Sequence, residues 1–267
     1  MSLIIFTGLN EILLPAENCD YNLVTDLLEL LQQRQISLIP VTDNTRPEVE
    51  ILLKQIELDS PFVVENGSAI FVPQENQNFA LADSESLDTY NYRQLGCSYT
   101  EARAALKVVQ EEISKILRGF GDMDDSDIQS LLGGSISVAR RTKAREFSEY
   151  FLTPSRIPIE KLQQVALEYG FQIIAEDQLS LIKGSNADSI KAIKILISSF
   201  KGSAEKITTV GLGSTNKDLS WLTAVDIPIV IPNDSAIQTN LSNEDWQTAS
   251  EPGFIGWINS IKKILSQ

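Results

Sequence analysis

The sequence contains no histidine, and that absence removes every mechanism built on a Ser-His or Cys-His pair or on a His-ligated metal. Cysteine is nearly as scarce. Cys19 and Cys97 are too few and too far apart for a disulfide framework or a metal cluster, and they fit a reducing compartment. Basic residues number 22 against 36 acidic ones, a formal net charge of −14, so the average field repels nucleic-acid phosphates and anionic membranes. The one counter-signal is the cluster Arg140, Arg141, Lys143 and Arg145, balanced by Glu146 and Glu149, which reads as a solvated helix face. Long apolar runs are also missing. The opening MSLIIFTGLNEILL has no basic flank, and its apolar stretch is short and interrupted, so neither a secretion signal nor a membrane span is expected, and the expected location is cytoplasmic.

What is present is ordinary globular material, 43% hydrophobic and 22% charged over 267 residues, a length at which one core tends to split into two unequal domains. Leu3 to Thr7 is an apolar run of buried-strand type, and Tyr21 to Arg34 carries leucines at helical spacing. Ile36 to Val41 predicts a second strand, Arg46 to Leu58 a second helix, Phe62 to Glu65 a third strand, and Ala69 to Val72 the return arm of a hairpin after Asn66-Gly67. Such alternation predicts a parallel sheet with right-handed crossovers. The polar stretch from Gln74 to Asp88 reads as a linker. Beyond it, Ser98-x-x-Glu101 opens a helix expected to stop at Gly119, and a further helix spans Ser126 to Leu132. This middle region lacks the strand-helix rhythm and is expected to form an inserted domain. The rhythm returns with helix Asp188 to Phe200, strand Ile207 to Leu212, helix Asp218 to Ala224, strand Ile227 to Ile231 and a last helix from about Gly256 to Leu265. In an open parallel sheet ligands sit at the carboxyl ends of the strands. The loops after Thr7, at Thr42 and from Gly213 to Asp218 therefore surround one crevice.

The order IIFTGLNEILL, VTDNTR, VENGSAIF resembles the haloacid dehalogenase phosphatases, and the mannosyl-3-phosphoglycerate phosphatases in particular. GFGDM (119–123), AREFSEYF (144–151), GLGSTNKDLSWLTAVDIPIVI (211–231) and the late Pro252-Gly253 with Gly256-Trp257 are similar to that family in the same order. The resemblance implies an α/β fold with a Rossmannoid core, residues 1–82 and 184–267, and an inserted α+β cap of C2B type, residues 83–183.

In the family, the resemblance implies, two aspartates one residue apart follow the first strand: the first attacks phosphorus and binds magnesium, the second protonates the leaving oxygen. Here those positions are Gly8 and Asn10, and neither can act as nucleophile or general acid. Glu11 is displaced by one residue, while productive geometry tolerates about 0.5–1 Å of error. Thr42 matches the hydroxyl that bonds the phosphoryl group, although a helix-capping role is open to it too. The family's lysine falls at Ser189, with Lys183 or Lys191 as possible replacements. The metal-binding loop Gly213-Ser214-Thr215-Asn216-Lys217-Asp218 keeps the distal aspartate and has Ser214 where the other would stand. Asp218 is the residual metal candidate. No cofactor is expected on this reading, with magnesium required only if the chain is an active phosphatase. Thr42, Asn10 and Lys217, with the amides of the first loop, are expected to hold an anion. Asp122, Arg145 and Glu149 match family residues lining the substrate side of the cap, with domain packing as the other role open to them. Two functions follow as expectations: a binding or regulatory protein for a phosphorylated small molecule or a protein partner, or a sugar-phosphate phosphatase with displaced residues.

Overall fold

Ser2–Thr7 forms strand β1, and because Ile4, Ile5 and Phe6 are each fully buried the strand must be covered on both faces, as a central strand of a parallel sheet is. Alternation does the sorting. Ile5 points to one apolar cluster and Ile4 and Phe6 to the other. In a computed structural model, which describes residues 2–10, 12–13, 21–175, 178–202, 206–233 and 246–266, β1 is flanked by β10 (Ile207–Gly213) and β2 (Ser37–Pro40). The sheet continues through β11 (Ile227–Val230) and β12 (Gln247–Thr248), in the order β12-β11-β10-β1-β2, all parallel. Helices α1 (Tyr21–Gln33), α2 (Arg46–Gln55) and α9 (Gly253–Leu265) contribute to the Ile5 cluster, and α7 (Ser189–Ser199) and α8 (Asn216–Leu222) to the other. Local chemistry sets the helix starts: Thr45 and Glu48 make a reciprocal capping box on α2, and Asp188 caps α7 through the Ile190 amide at 2.7 Å.

β3 (Phe62–Val64) departs from the expected parallel pairing. Just past the end of β2 it makes a single parallel bridge, Val41 to Val63, with the Thr42 amide donating to the Val63 carbonyl at 3.0 Å, and it pairs antiparallel with β4 (Ala69–Pro73), its hairpin partner. The stretch 74–88 is not merely a linker, since it contains β5 (Glu85–Leu87). With β6 (Tyr90–Gln94), β5 extends the hairpin into a four-stranded antiparallel sheet, β3-β4-β6-β5.

The middle of the chain is an α+β layer. Helix α3 (Tyr99–Ile113) starts at the Ser98–Glu101 capping box but ends at Ser114, which takes φ of 52°, and not at Gly119. Helices α4 (Asp125–Leu132), α5 (Ile136–Lys143) and α6 (Ile159–Glu168) accompany strands β7 (Ser148–Leu152), β8 (Phe171–Ala175) and β9 (Leu179–Gly184), in the order β7-β9-β8. Phe151 and Ile182 pack under α3 and α6, while Tyr150 and Leu181 face α4 and α5. The chain enters and leaves this layer side by side: a Cβ on Gly184 would lie 2.8 Å from the Cys97 nitrogen. Among the described residues no helix is long and apolar enough to cross a membrane. Cys97 is buried, which pushes its thiol up to about 11, so it behaves as a small hydrophobe. Cys19 and Glu11 lie outside the described residues.

Candidate active site

The carboxyl ends of β1, β2 and β10 converge, as the alternating pattern requires. The Gly8 amide donates to the Leu212 carbonyl at 2.8 Å. Thr7 Oγ1 donates to the Gly8 carbonyl and accepts from Trp257 Nε1, each at 2.9 Å, so α9 holds the loop from behind. Gly8 is where the sequence shows no nucleophile, and the space its side chain would enter is filled. An ideal Cβ there would lie 2.6 Å from Asp218 Oδ2.

Asp218 is the third residue of α8 and closes its capping box, accepting from the Ser214 and Thr215 amides at 3.0 Å and from Thr215 Oγ1 at 2.9 Å. Burial pushes its carboxyl up to about 6 against those hydrogen bonds, and the negative charge of Asp43 adds to the rise. Asp43, which the sequence did not single out, is the other carboxylate of the crevice. Burial would raise it too, but the Lys217 ammonium 2.5 Å from Oδ2 and the Arg145 guanidinium outweigh burial and hold it below the usual carboxylate range. Asn10 joins the same group by donating from Nδ2 to Asp43 Oδ1 at 2.7 Å, and its carbonyl accepts from Ser214 Oγ at 2.7 Å.

Gly8, Asn10, Lys217, Ser214 and Asp218 therefore do come together, with Asp43 among them. Thr42 stands at the end of β2, but its hydroxyl donates to Asn44 Oδ1 at 2.5 Å, and the cap of α2 is Thr45. Ser189 is the first residue of α7. Lys183 is buried on β9, whereas Lys191 lies on an exposed turn of α7.

The cap residues divide. Asp122 and Glu149 meet on Arg103, another side chain the sequence did not flag: Arg103 Nη1 donates to Glu149 Oε1 at 2.9 Å and Nη2 to Asp122 Oδ1 at 2.5 Å. Glycines make the room, because a Cβ on Gly121 would lie 2.6 Å from the Tyr99 hydroxyl. Arg145 is elsewhere, and it corrects the expected solvated face. Its side chain is 1% exposed, 3.4 Å from Glu65 Oε2, with Nη2 donating to the Asp43 carbonyl at 3.1 Å and the guanidinium 4.6 Å above the Tyr150 ring. Arg145 lies on the cap side and Glu65 and Asp43 on the core side, so one buried cation ties the two layers beside the crevice.

No protein-family model matches the chain. The glucosyl-3-phosphoglycerate/mannosyl-3-phosphoglycerate phosphatase of Persephonella marina is 31% identical over 267 residues, 99% of this chain and 98% of the relative. The chain belongs to that phosphatase family. The enzyme of the same name from Methanococcoides burtonii is 29% identical over 100% of this chain and 98% of its own length. In fold, the chain is similar to a Thermoplasma acidophilum protein (TM-score 0.65, 15% identity, 100% of this chain and 99% of that one). A haloacid dehalogenase-like hydrolase from B. subtilis gives 0.63 at 14%, over 98% of this chain and 99% of that one. These likenesses show a shared fold, a parallel-sheet core with an added antiparallel-sheet cap.

Membership corrects the expectation that no cofactor is used, because haloacid dehalogenase phosphatases work with magnesium. Among the described residues no three Asp, Glu, Cys or His side chains converge as a metal cluster. The two carboxylates at the crevice are engaged, Asp43 with Lys217 and Asp218 with the start of α8, and the Asn10 carbonyl is taken by Ser214. The residues in this arrangement do not fit the ion as the family's paired aspartates would, and no step below is routed through it.

Proposed function

We propose that this chain hydrolyses a phosphomonoester of the glycosyl-glycerate class, the substrates for which its relatives are named. The observation that carries the reading is the end-to-end relationship, 31% identity over 99% of the chain, to a phosphatase of that specificity. The crevice supports it with two carboxylates whose environments push them apart, Asp43 held ionised and Asp218 raised, the pattern by which a site separates acid and base roles. Asp218 occupies the space of the missing side chain at Gly8. Ionised near neutral pH, it is the group placed to take a proton from a water attacking phosphorus.

The test is phosphate release from glucosyl-3-phosphoglycerate and mannosyl-3-phosphoglycerate in the presence of magnesium. Turnover that falls at least about a hundredfold in Asp218→Asn, the scale of a lost general base, is the expected result. Gly8 and Asn10 favour a second reading, a protein that binds such a ligand without cleaving it. Binding of either compound with no phosphate released would establish that reading and sink the first.

A further inference from the structure

A cavity of about 710 Å³ lies between the segment 74–82, the paired residues Val72 and Asn91 of β4 and β6, and Lys201 just past α7. Its size is within the ~300–1,000 Å³ range of small-ligand sites. It stands away from the crevice. The turn at Asn66-Gly67 touches the crevice loop, the Asn66 amide donating to the Thr42 carbonyl at 3.1 Å, and α7 starts against that turn, the Asp188 amide donating to the Gly67 carbonyl at 3.2 Å. From there α7 runs 11 residues to Ser199, whose carbonyl accepts from the Ala80 amide at 2.8 Å. Eleven residues of α-helix span ~16 Å, and that length separates the cavity from the crevice.

The wall is unusual for a chain with 36 acidic residues, because it holds no carboxylate. Four carboxamides line it, Gln74, Asn76, Gln77 and Asn91, and Lys201 is its one charged side chain. Some of the amide capacity is spent within the protein. Gln74 gives Nε2 to the Asp88 and Tyr90 carbonyls, Asn76 Oδ1 accepts from the Asn78 amide at 3.0 Å, and Asn91 Oδ1 accepts from Ser86 Oγ at 3.4 Å. The Asn76 and Asn91 NH2 groups and the whole Gln77 amide make no hydrogen bond with another described residue. Val72 and Phe79, 2% and 4% exposed, give the cavity an apolar floor.

A carboxamide offers donors and an acceptor on one group, and a hydroxyl needs both kinds of partner. An amide rim over an apolar floor therefore suits a sugar ring, whose faces are C–H and whose edge carries the hydroxyls. One cation suits one carboxylate. Charge then decides between the two ends of the reaction. A glycosyl-3-phosphoglycerate carries a phosphate as well as its carboxylate, up to about three negative charges, and would meet a single lysine in a chain of net charge −14. Its dephosphorylated product carries only the carboxylate.

Resting on the phosphatase reading for the identity of the ligand, we propose that this cavity is a second site that binds the product, a glycoside with several hydroxyls and one carboxylate. Gln77 and Asn91 hold its hydroxyls, and Lys201 holds its carboxylate.

The test is calorimetric titration of the full chain with glucosylglycerate, with glucose and D-glycerate as hydroxyl-only and carboxylate-only arms. It is run on the wild type, Gln77→Ala, Asn91→Leu, Lys201→Met and the crevice variant Lys217→Met. Gln77 and Lys201 are exposed, so their variants keep the fold. Affinity for glucosylglycerate is expected to fall several-fold in Gln77→Ala and Asn91→Leu and about tenfold in Lys201→Met, in keeping with neutral and charged donors, and to hold in Lys217→Met. Glucose and glycerate should each bind more weakly than the whole ligand. Absence of binding by the wild type overturns the proposal, as does affinity unchanged in both Gln77→Ala and Lys201→Met. So does affinity lost in Lys217→Met alone, which puts the product in the crevice. Either fragment binding as tightly as glucosylglycerate overturns it too, since half of the wall would then have no role. The two readings fail separately. Binding that is sensitive to Lys201→Met, without phosphate release from either glycosyl-3-phosphoglycerate, sinks hydrolysis and leaves the cavity. Phosphate release with binding indifferent to Gln77→Ala and Lys201→Met sinks the cavity and leaves hydrolysis.

Discussion

At Gly8 the space that a side chain would enter is filled by the carboxylate of a residue 210 positions away, since an added Cβ would lie within 2.7 Å of all three Asp218 carboxyl atoms. Steric overlap in so tight a place costs ~1–3 kcal/mol. Gly8→Ala should therefore lower the urea midpoint without changing the slope, and Gly8→Asp alone should gain no activity, because two carboxylates would compete for one space. A Gly8→Asp variant as stable as the wild type would show that Asp218 moves freely. Asp218 also predicts a pH signature. Its folded pKa, about 6, lies above the unfolded value of 3.8, so the contribution of this group is fully present below about pH 4 and is lost as pH rises to about 6, a change on the order of 3 kcal/mol. The stability difference between wild type and Asp218→Asn, measured by denaturant titration across that window, should move against the wild type as pH rises. Asp43, with a lowered pKa, contributes in the opposite sense, losing stability only as pH falls below the ordinary aspartate range, so the two are separable. A flat difference would mean that Asp218 titrates normally.

Among the elements, the join between β3 and β7 depends on buried charge. Glu65, at the end of β3, is fully buried and accepts from the Glu146 and Phe147 amides and the Ser148 hydroxyl while facing Arg145. Removing one partner of such a pair leaves an uncompensated buried charge and costs ~3–5 kcal/mol, whereas replacing both with apolar groups of similar volume is often neutral. Arg145→Met should thus be far more destabilising than Arg145→Met combined with Glu65→Met, as read by thermal and denaturant melts. Equal losses in the single and double variants would mean that the pair contributes through packing alone. The outer contacts of the same join, Arg46 with Glu146, Glu50 and Asp88, are more exposed and should each matter by under ~1 kcal/mol.

For the whole molecule, a net charge of −14 on 267 residues means self-repulsion in the folded state, which salt screens over about 10 Å at 0.1 M. Thermal stability should rise as sodium chloride goes from 0.01 M to 0.15 M, and a fall over that range would show that attractive pairs such as those around Arg46 outweigh the repulsion. The core was legible in the sequence wherever one period ran unbroken between punctuating residues: LIIFT before its loop, the hairpin at Asn66-Gly67, and α7-β10-α8-β11. The cap sheet was not legible from its pattern. Ser148, Glu149, Ser180 and Lys183 occupy buried positions in its short strands, and polar residues there erase the apolar alternation that marks a strand. Their partners, Glu65 for Ser148 and Arg103 for Glu149, are tens of residues away. By itself, then, the sequence determined the parallel core, the crevice at its strand ends, the family, and the lack of a nucleophile at Gly8, because each rests on local periodicity or on the presence or absence of a side chain. Only the tertiary structure decided that Asp218 fills that vacancy, that Asp43 is held ionised by Lys217 and Arg145, and that Gln77, Asn91 and Lys201 line one cavity, because burial and charge pairing depend on which distant segments the fold brings within a few ångströms of each other.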